Sequence, residues 1–231
     1  MLINNAVELN KLIIEKSCLV FDFDGVIADS VNIKGDAFSE LYKIYGNDIA
    51  KKVVQHHLKH GGMSRYDKFR YYHNNFLKED VSESEIQDLS DKFSNLVVKK
   101  VIDANEIFGA EEFLNLHCLD NMLCTINSAT PHDEIDFIVH KRGIKKYFAG
   151  IYGSPNSKTF NLQYILKFNK LSPSDALFFG DAHSDYQAAV DVGVTFVGVG
   201  KEIMPVLEKS DKVTYYIDDF ISLLNIIEQQ G

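Results

Sequence analysis

The sequence predicts an α/β fold, a doubly wound parallel sheet with an inserted helical segment. Three observations predict it. Short apolar runs such as CLVF at 18–21 end in acids or glycine, as strands covered on both faces do. From residue 103 onward such runs alternate with helix-length segments, the pattern of parallel strands joined by crossover helices. Between the first run and the rest, residues 31–102 are polar, rich in Lys, Tyr and His, and helical in period.

The elements follow in order. A first strand is expected over 17–23. In the insertion, Ala37, Leu41, Ile44 and Tyr45 fall at helical spacing, as do Val53, Val54 and Leu58; Gly61-Gly62 breaks the pattern and Phe69, Tyr72 and Phe76 resume it. Ser82 with Glu85 three residues on is a helix-start signal, followed by Ile86, Leu89, Phe93, Leu96 and Val97. Helices are then expected over 106–117, 131–142, 157–168, 183–192 and 220–228, and strands over 122–127, 150–152, 176–179, 195–199 and 214–217. The expected organisation is an α/β core from residues 1–30 and 103–231 and a helical cap from 31–102. In such a Rossmann-like sheet the chemistry sits at the carboxyl ends of the strands.

Composition narrows the function. The 231 residues carry 24 Lys+Arg and 33 Asp+Glu, a formal charge of −9. That balance argues against a nucleic-acid-coating protein, which needs basic residues against phosphates. No apolar run is long enough to span a bilayer, and the N-terminus lacks the basic and apolar regions of a signal peptide. A cytoplasmic protein with three buried, reduced cysteines (Cys18, Cys118 and Cys124) is expected, acting on a small metabolite as a monomer or homodimer.

Acids and hydroxyls gather at the predicted strand ends. They are Asp22-Phe23-Asp24-Gly25, Asn127-Ser128-Ala129-Thr130 and Gly180-Asp181-Ala182-His183-Ser184-Asp185, joined by Lys158 after the short strand at 150–152. Gly25 permits a turn that brings Asp22 and Asp24 to one cleft. Carboxylates so gathered repel one another unless a cation is present, and a hard ion such as Mg²⁺ takes oxygen ligands. Asp22, Asp181 and Asp185 therefore form a candidate Mg²⁺ cradle. Lys158 and Ser128 suit a phosphoryl group with its charged oxygens. Each residue alone has a commoner explanation: helix cap for Asp181 or Ser128, solvated side chain for Lys158. Together, in this order, they do not.

DFDGV, INSATP, SPNSK and GDAHSD resemble the four motifs of the haloacid dehalogenase superfamily over nearly the whole chain, and the insertion after the first resembles the helical cap of the subgroup that includes phosphoglycolate phosphatase and β-phosphoglucomutase. The resemblance implies that Asp22 is a nucleophile forming an aspartyl-phosphate. It implies that Asp24 protonates the leaving oxygen and then takes a proton from water. Ser128 and Lys158 would hold the phosphoryl oxygens. Mg²⁺ would bind Asp22, the backbone carbonyl of Asp24, and Asp181, with Asp185 as a ligand or behind one. The cap loop Gly62-Met63-Ser64-Arg65 resembles a substrate-specificity loop, with Arg65 expected to pair with a carboxylate or second phosphate of the substrate.

The function so implied is Mg²⁺-dependent hydrolysis of a small phosphomonoester, a sugar phosphate or a phosphoglycolate-like compound. Asp24 stands where dehalogenases proper lack an acid, which turns the reading away from dehalogenation. A phosphomutase of the β-phosphoglucomutase type is the nearest alternative. Lys34, where that group carries a His, favours hydrolysis. A non-catalytic phospho-acceptor or binding module fits less well, because GDAHSD and the helical insertion have no place in it.

Overall fold

The computed structural model describes residues 2–119 and 122–228. Seven parallel strands form one sheet: β1 (Leu2–Ile3), β2 (Cys18–Phe21), β3 (Leu123–Pro131), β4 (Gly150–Ser154), β5 (Ala176–Gly180), β6 (Thr195–Val199) and β7 (Thr214–Ile217). Their order is β1-β7-β6-β5-β2-β3-β4, and every pairing is parallel. The chain runs outward from β2 through β3 to β4, then returns to β2's other side for β5, β6 and β7. β2 is thus the switch point, where an open α/β sheet opens a crevice at its carboxyl edge.

Alternation along β2 builds both faces of the core. Leu19 and Phe21 pack into one apolar cluster with Ile126, Leu177 and Phe179. Cys18 and Val20 pack into the other with Phe178, Ala188 and Phe196. The Phe21 and Phe179 rings stack at 5.0 Å. All four residues of β2 and all five of β5 are buried, which explains why their sequences show no polar alternation.

Helices α1 (Ala6–Ile14), α6 (Ala110–His117), α7 (His132–Lys141), α8 (Lys158–Phe168), α9 (His183–Val192), α10 (Met204–Leu207) and α11 (Ile221–Glu228) accompany the sheet. Between β2 and β3 lie α2 (Val31–Tyr42), α3 (Asn47–Lys59), α4 (Arg65–Tyr72) and α5 (Glu83–Ile102). Here Phe38, Tyr42, Phe69, Tyr72 and Phe93 form an aromatic core, each at most 2% exposed. The Ser82–Glu85 capping box starts α5 as the sequence predicts. Among the described residues, no helix is long and apolar enough to cross a membrane.

Several expectations are corrected. α2 ends at Tyr42, so Ile44 falls on the following turn, 81% exposed, and Tyr42 takes the core position. His56, on α3, is buried, its ring stacked on Tyr71 at 4.1 Å. The cysteines are not all reduced. Cys118, at the end of α6, and Cys124, on β3, are joined in a disulfide with a Cα–Cα separation of 5.6 Å, inside the range a bridge needs. Cys18 is free and buried, its thiol pushed up to about 12 by burial, which keeps it inert.

His57, inside the inserted helices, predicts a pH effect. Burial, then the charge of Lys68, pushes its imidazole down to about 3. A group depressed in the folded state contributes stability above its unfolded value of about 6.5 and loses it as pH falls toward its folded value. Thermal denaturation should therefore show stability falling below pH 6.5, with this one group's share on the order of several kcal/mol by pH 3. His57→Gln should flatten that slope; an unchanged slope contradicts the assignment.

Candidate active site

The register sets the site. Phe21 pairs with Ile126 on one side and Phe179 on the other, so the residues that follow them, Asp22, Asn127-Ser128 and Gly180-Asp181, leave the sheet at one level. Asp22 is buried, and its N–H donates to the Phe179 carbonyl at 2.9 Å. Beyond it the chain turns tightly, with the Ile27 and Ala28 N–H groups both on the Phe23 carbonyl. Gly25 sits in this turn at φ +78°, and a Cβ there would collide with the Asp181 carboxylate. Glycine is thus required both for the turn and for the close approach of Asp181.

The turn brings Asp24 back to the same cleft. It accepts from Ser30 Oγ at 2.5 Å and Thr130 Oγ1 at 3.2 Å, and it is ion-paired with Lys34. Lys34 also donates to Thr130 Oγ1 at 2.8 Å. Burial works to raise the Asp24 carboxyl, but the charge and hydrogen bond of Lys34, with the Ser30 hydroxyl, outweigh it and hold the group below its ordinary value. Sequence reasoning noticed Lys34 only as a departure from a family pattern; its pairing with Asp24 needed the fold.

Lys158 is the first residue of α8, whose start is capped by Ser157. Asn127 Nδ2 holds the Lys158 carbonyl at 2.9 Å and Asn161 Nδ2 holds Asn127 Oδ1 at 3.2 Å, a buried amide pair fixing α8 to β3. The ammonium donates to Asp22 Oδ2 at 2.6 Å and to Asp185. Asp185 is fully buried; its other oxygen accepts from the Ala182 N–H at 3.1 Å, and Gly180 leaves room for its side chain. Both Asp185 oxygens are therefore occupied, which makes it the group that orients Lys158. Ser128 is buried on the adjacent strand end, where its Oγ accepts from the Thr130 N–H at 3.1 Å.

Ligand oxygens of Asp22, Asp181 and Asp185 lie within 4.8 Å of one another. Burial, only partly offset by Lys158 and reinforced by Asp185 and Asp24, pushes Asp22 up to about 7. Burial, then Asp22 and Asp185, drives Asp181 well above its ordinary value. For Lys158 the two carboxylates outweigh burial and raise its ammonium. Three carboxylates, those of Asp22 and Asp185 buried and that of Asp181 half-buried, against one ammonium leave excess negative charge, which an oxygen-seeking divalent cation fits. Asp181 receives no side-chain or backbone donor among the described residues and is the carboxylate most available to such an ion.

A cavity of about 420 Å³ opens on these groups, lined by Asp22, Asp24, Lys34, Gly62, Lys68 and Asp181 among others, a size that suits a small metabolite. The loop between α3 and α4 sits directly on it. Ser184 Oγ donates to the Gly61 carbonyl at 3.2 Å. Gly62, at φ +74°, lies so near Ser184 and Lys158 that a Cβ would strike Ser184 Oγ.

Arg65 lines the cavity, yet its charge is paired inside the protein. Its side chain is 4% exposed, and its guanidinium forms a two-pronged ion pair with Glu134 of α7, a third hydrogen bond to Ser94 of α5 at 2.7 Å, and a stack on Phe93 at 4.6 Å. It is a clasp between α4 and α7, with its charge already matched inside the protein. Arg65→Ala leaves the largely covered Glu134 carboxylate with only the Ser94 hydroxyl and should cost about 3 kcal/mol in thermal unfolding. It should also lower turnover of an anionic ester and of p-nitrophenyl phosphate by similar factors; a KM rise confined to the anionic ester contradicts the clasp.

Comparison with known proteins accords with this geometry. Solved structures share the fold. β-Phosphoglucomutase from Clostridium difficile aligns with a TM-score of 0.73 at 22% identity, covering 93% of this chain and 96% of that one. A haloacid dehalogenase-like family hydrolase from Streptococcus pneumoniae aligns at 0.67 and 17% identity, covering 94% and 100%. A protein described as a predicted phosphoglycolate phosphatase from Haemophilus somnus 129pt aligns at 0.68 and 17%, covering 92% and 98%. No curated protein matches the chain. The family model for haloacid dehalogenase-like hydrolases matches residues 19–199, a span that begins in β2, ends with β6 and contains Asp22, Asp24, Asp181 and Asp185, and the chain belongs to that family.

Proposed function

We propose that this protein hydrolyses a small phosphomonoester, with Asp22 as the nucleophile. The observation that carries the reading is the buried Asp22 carboxylate, held by Lys158 at 2.6 Å in the same cavity as Asp181 and the Lys34–Asp24 pair. In the first step an Asp22 oxygen bonds to phosphorus and the bond to the leaving oxygen breaks. A proton passes from the Lys34 ammonium through Asp24 to that oxygen. In the second step water bonds to phosphorus, the Asp22–phosphorus bond breaks, and the water's proton returns to the pair. Lys34 keeps Asp24 charged, which suits it to take that proton. Lys158 and Ser128 steady the phosphoryl oxygens.

The donor set fits Mg²⁺, which Asp22, Asp181 and the Asp24 backbone carbonyl would hold. When bound, it supplies positive charge that lowers the repulsion between the Asp22 carboxylate and the phosphate. The inserted helices act as the cap that excludes water around the reacting groups.

A panel of phosphomonoesters assayed with Mg²⁺ and with EDTA tests the reading. The expected result is release of inorganic phosphate that stops in EDTA. An isomeric product that keeps its phosphate and needs a bisphosphate activator would instead mark a mutase.

A further inference from the structure

Lys68 lies one helical turn after Arg65, on the same side of α4. It is 3% exposed and lines the cavity with His57 and Phe38. Its Nζ lies 2.8 Å from His57 Nδ1. His57 Nε2 lies 3.3 Å from the Val31 carbonyl, an oxygen that only accepts. Nε2 therefore carries the imidazole proton, and Nδ1 accepts from the ammonium. The imidazole is neutral, held down by burial and by Lys68 itself. It orients Lys68 without compensating its charge.

Three neighbouring cations have carboxylate partners: Lys158 has Asp22 and Asp185, Lys34 has Asp24, and Arg65 has Glu134. Among the described residues, no carboxylate lies within ion-pairing distance of Lys68. A buried ammonium without a counter-charge is unfavourable. Burial first, then the neighbouring Lys34 and Lys158, pulls Lys68 down to about 7, with Asp24 and Asp181 opposing. One of its three N–H donors is used by His57; the Phe38 ring centroid is 5.6 Å away and supplies no hydrogen bond acceptor of ionic strength. The missing partner belongs in the cavity.

The geometry points to a substrate with a second anionic group, a carboxylate or a further phosphate on the leaving-group side, bound by Lys68 with His57 setting its position. This inference rests on the phosphomonoester reading above. It gives Lys68 the role that the sequence assigned to Arg65. The loop Gly61–Gly62, seated against Ser184 and Lys158, precedes α4 and so places Lys68 over the same cavity as the phosphoryl site.

The test separates binding from turnover. Full-length Asp22→Asn protein in Mg²⁺ is titrated calorimetrically with two matched pairs: 3-phosphoglycerate against glycerol 3-phosphate, and fructose 1,6-bisphosphate against fructose 6-phosphate. In at least one pair the doubly anionic member should bind about 10- to 100-fold tighter, as a charge-assisted contact provides. The pair that shows the preference tells carboxylate from phosphate. Adding Lys68→Met should erase the preference, and Lys68→Arg should keep most of it. Lys68→Met exchanges a buried charge for an apolar chain of similar length, so it should melt no lower than its parent; Lys68→Gln serves the same purpose if it does. Absence of preference in both pairs, or a preference that survives these neutral variants, overturns the inference. Failure of the wild-type protein to release phosphate from any ester overturns the hydrolase reading instead, because the binding comparison needs no turnover.

Discussion

Asp22→Asn should lower kcat by about 10⁴-fold or more, because a carboxamide cannot form the acyl-phosphate that divides the reaction into two steps. The loss should be chemical and not a loss of fold. Asp22 is raised to about 7 by burial and by its acidic neighbours. A carboxyl raised in the folded state carries its stabilising share only below its unfolded value near 4, and that share is lost as pH rises through 7. In EDTA at pH 8 the variant should therefore melt at or above the wild-type temperature. Steady-state kinetics beside thermal melts check both halves. Equal activity in the two proteins removes Asp22 as nucleophile; a collapsed melt turns the activity loss into a folding effect.

Lys158→Met should be the most damaging single change to the electrostatics of the cleft. The ammonium bridges Asp22 and Asp185, both buried, and is itself 6% exposed. Breaking a buried pair from one side leaves charge behind, at a cost of about 3–5 kcal/mol. The effect should be largest in EDTA and partly relieved by Mg²⁺, which compensates the same carboxylates. Loss of a preorganised donor to the phosphoryl oxygens should also reduce kcat/KM by about 10²- to 10³-fold. Melting the variant with and without Mg²⁺ checks the first claim. A melting temperature indifferent to the ion contradicts the view that Lys158 and a divalent cation share one set of carboxylates.

The strand-end acids were legible because each follows an apolar run too short to be anything but a strand, and because β2, β3 and β5 are neighbours. Asp22, Asp24, Lys158, Asp181 and Asp185 gather around one cleft. What the sequence concealed lies in long-range partners. Arg65 reads as a substrate-binding residue because Glu134, which neutralises it, is 69 positions away. Lys68 carries no signal of its own in the sequence; the packing of Phe38 and His57 beside it is seen only in the fold. Asp185 reads as a metal ligand or a group behind one; it lies in the carboxylate cluster with Asp22 and Asp181, and its bonds to Lys158 and to the start of α9 could not be read from the sequence. The Cys118–Cys124 pairing had no signal beyond proximity. β1 has only two residues, too few to show any period, and it takes its place from pairing with β7.

The account rests on Asp22 becoming phosphorylated during turnover. Acid quenching under steady turnover, followed by borohydride reduction and peptide mass analysis, reads this directly. An aspartyl-phosphate at residue 22 is reduced to homoserine, and the peptide containing DFDGV should carry that change at Asp22 alone, only when substrate and Mg²⁺ are both present. Reduction at Asp24 instead, or an unmodified peptide from an enzyme that shows a phosphorylated burst, would contradict the assignment of the nucleophile.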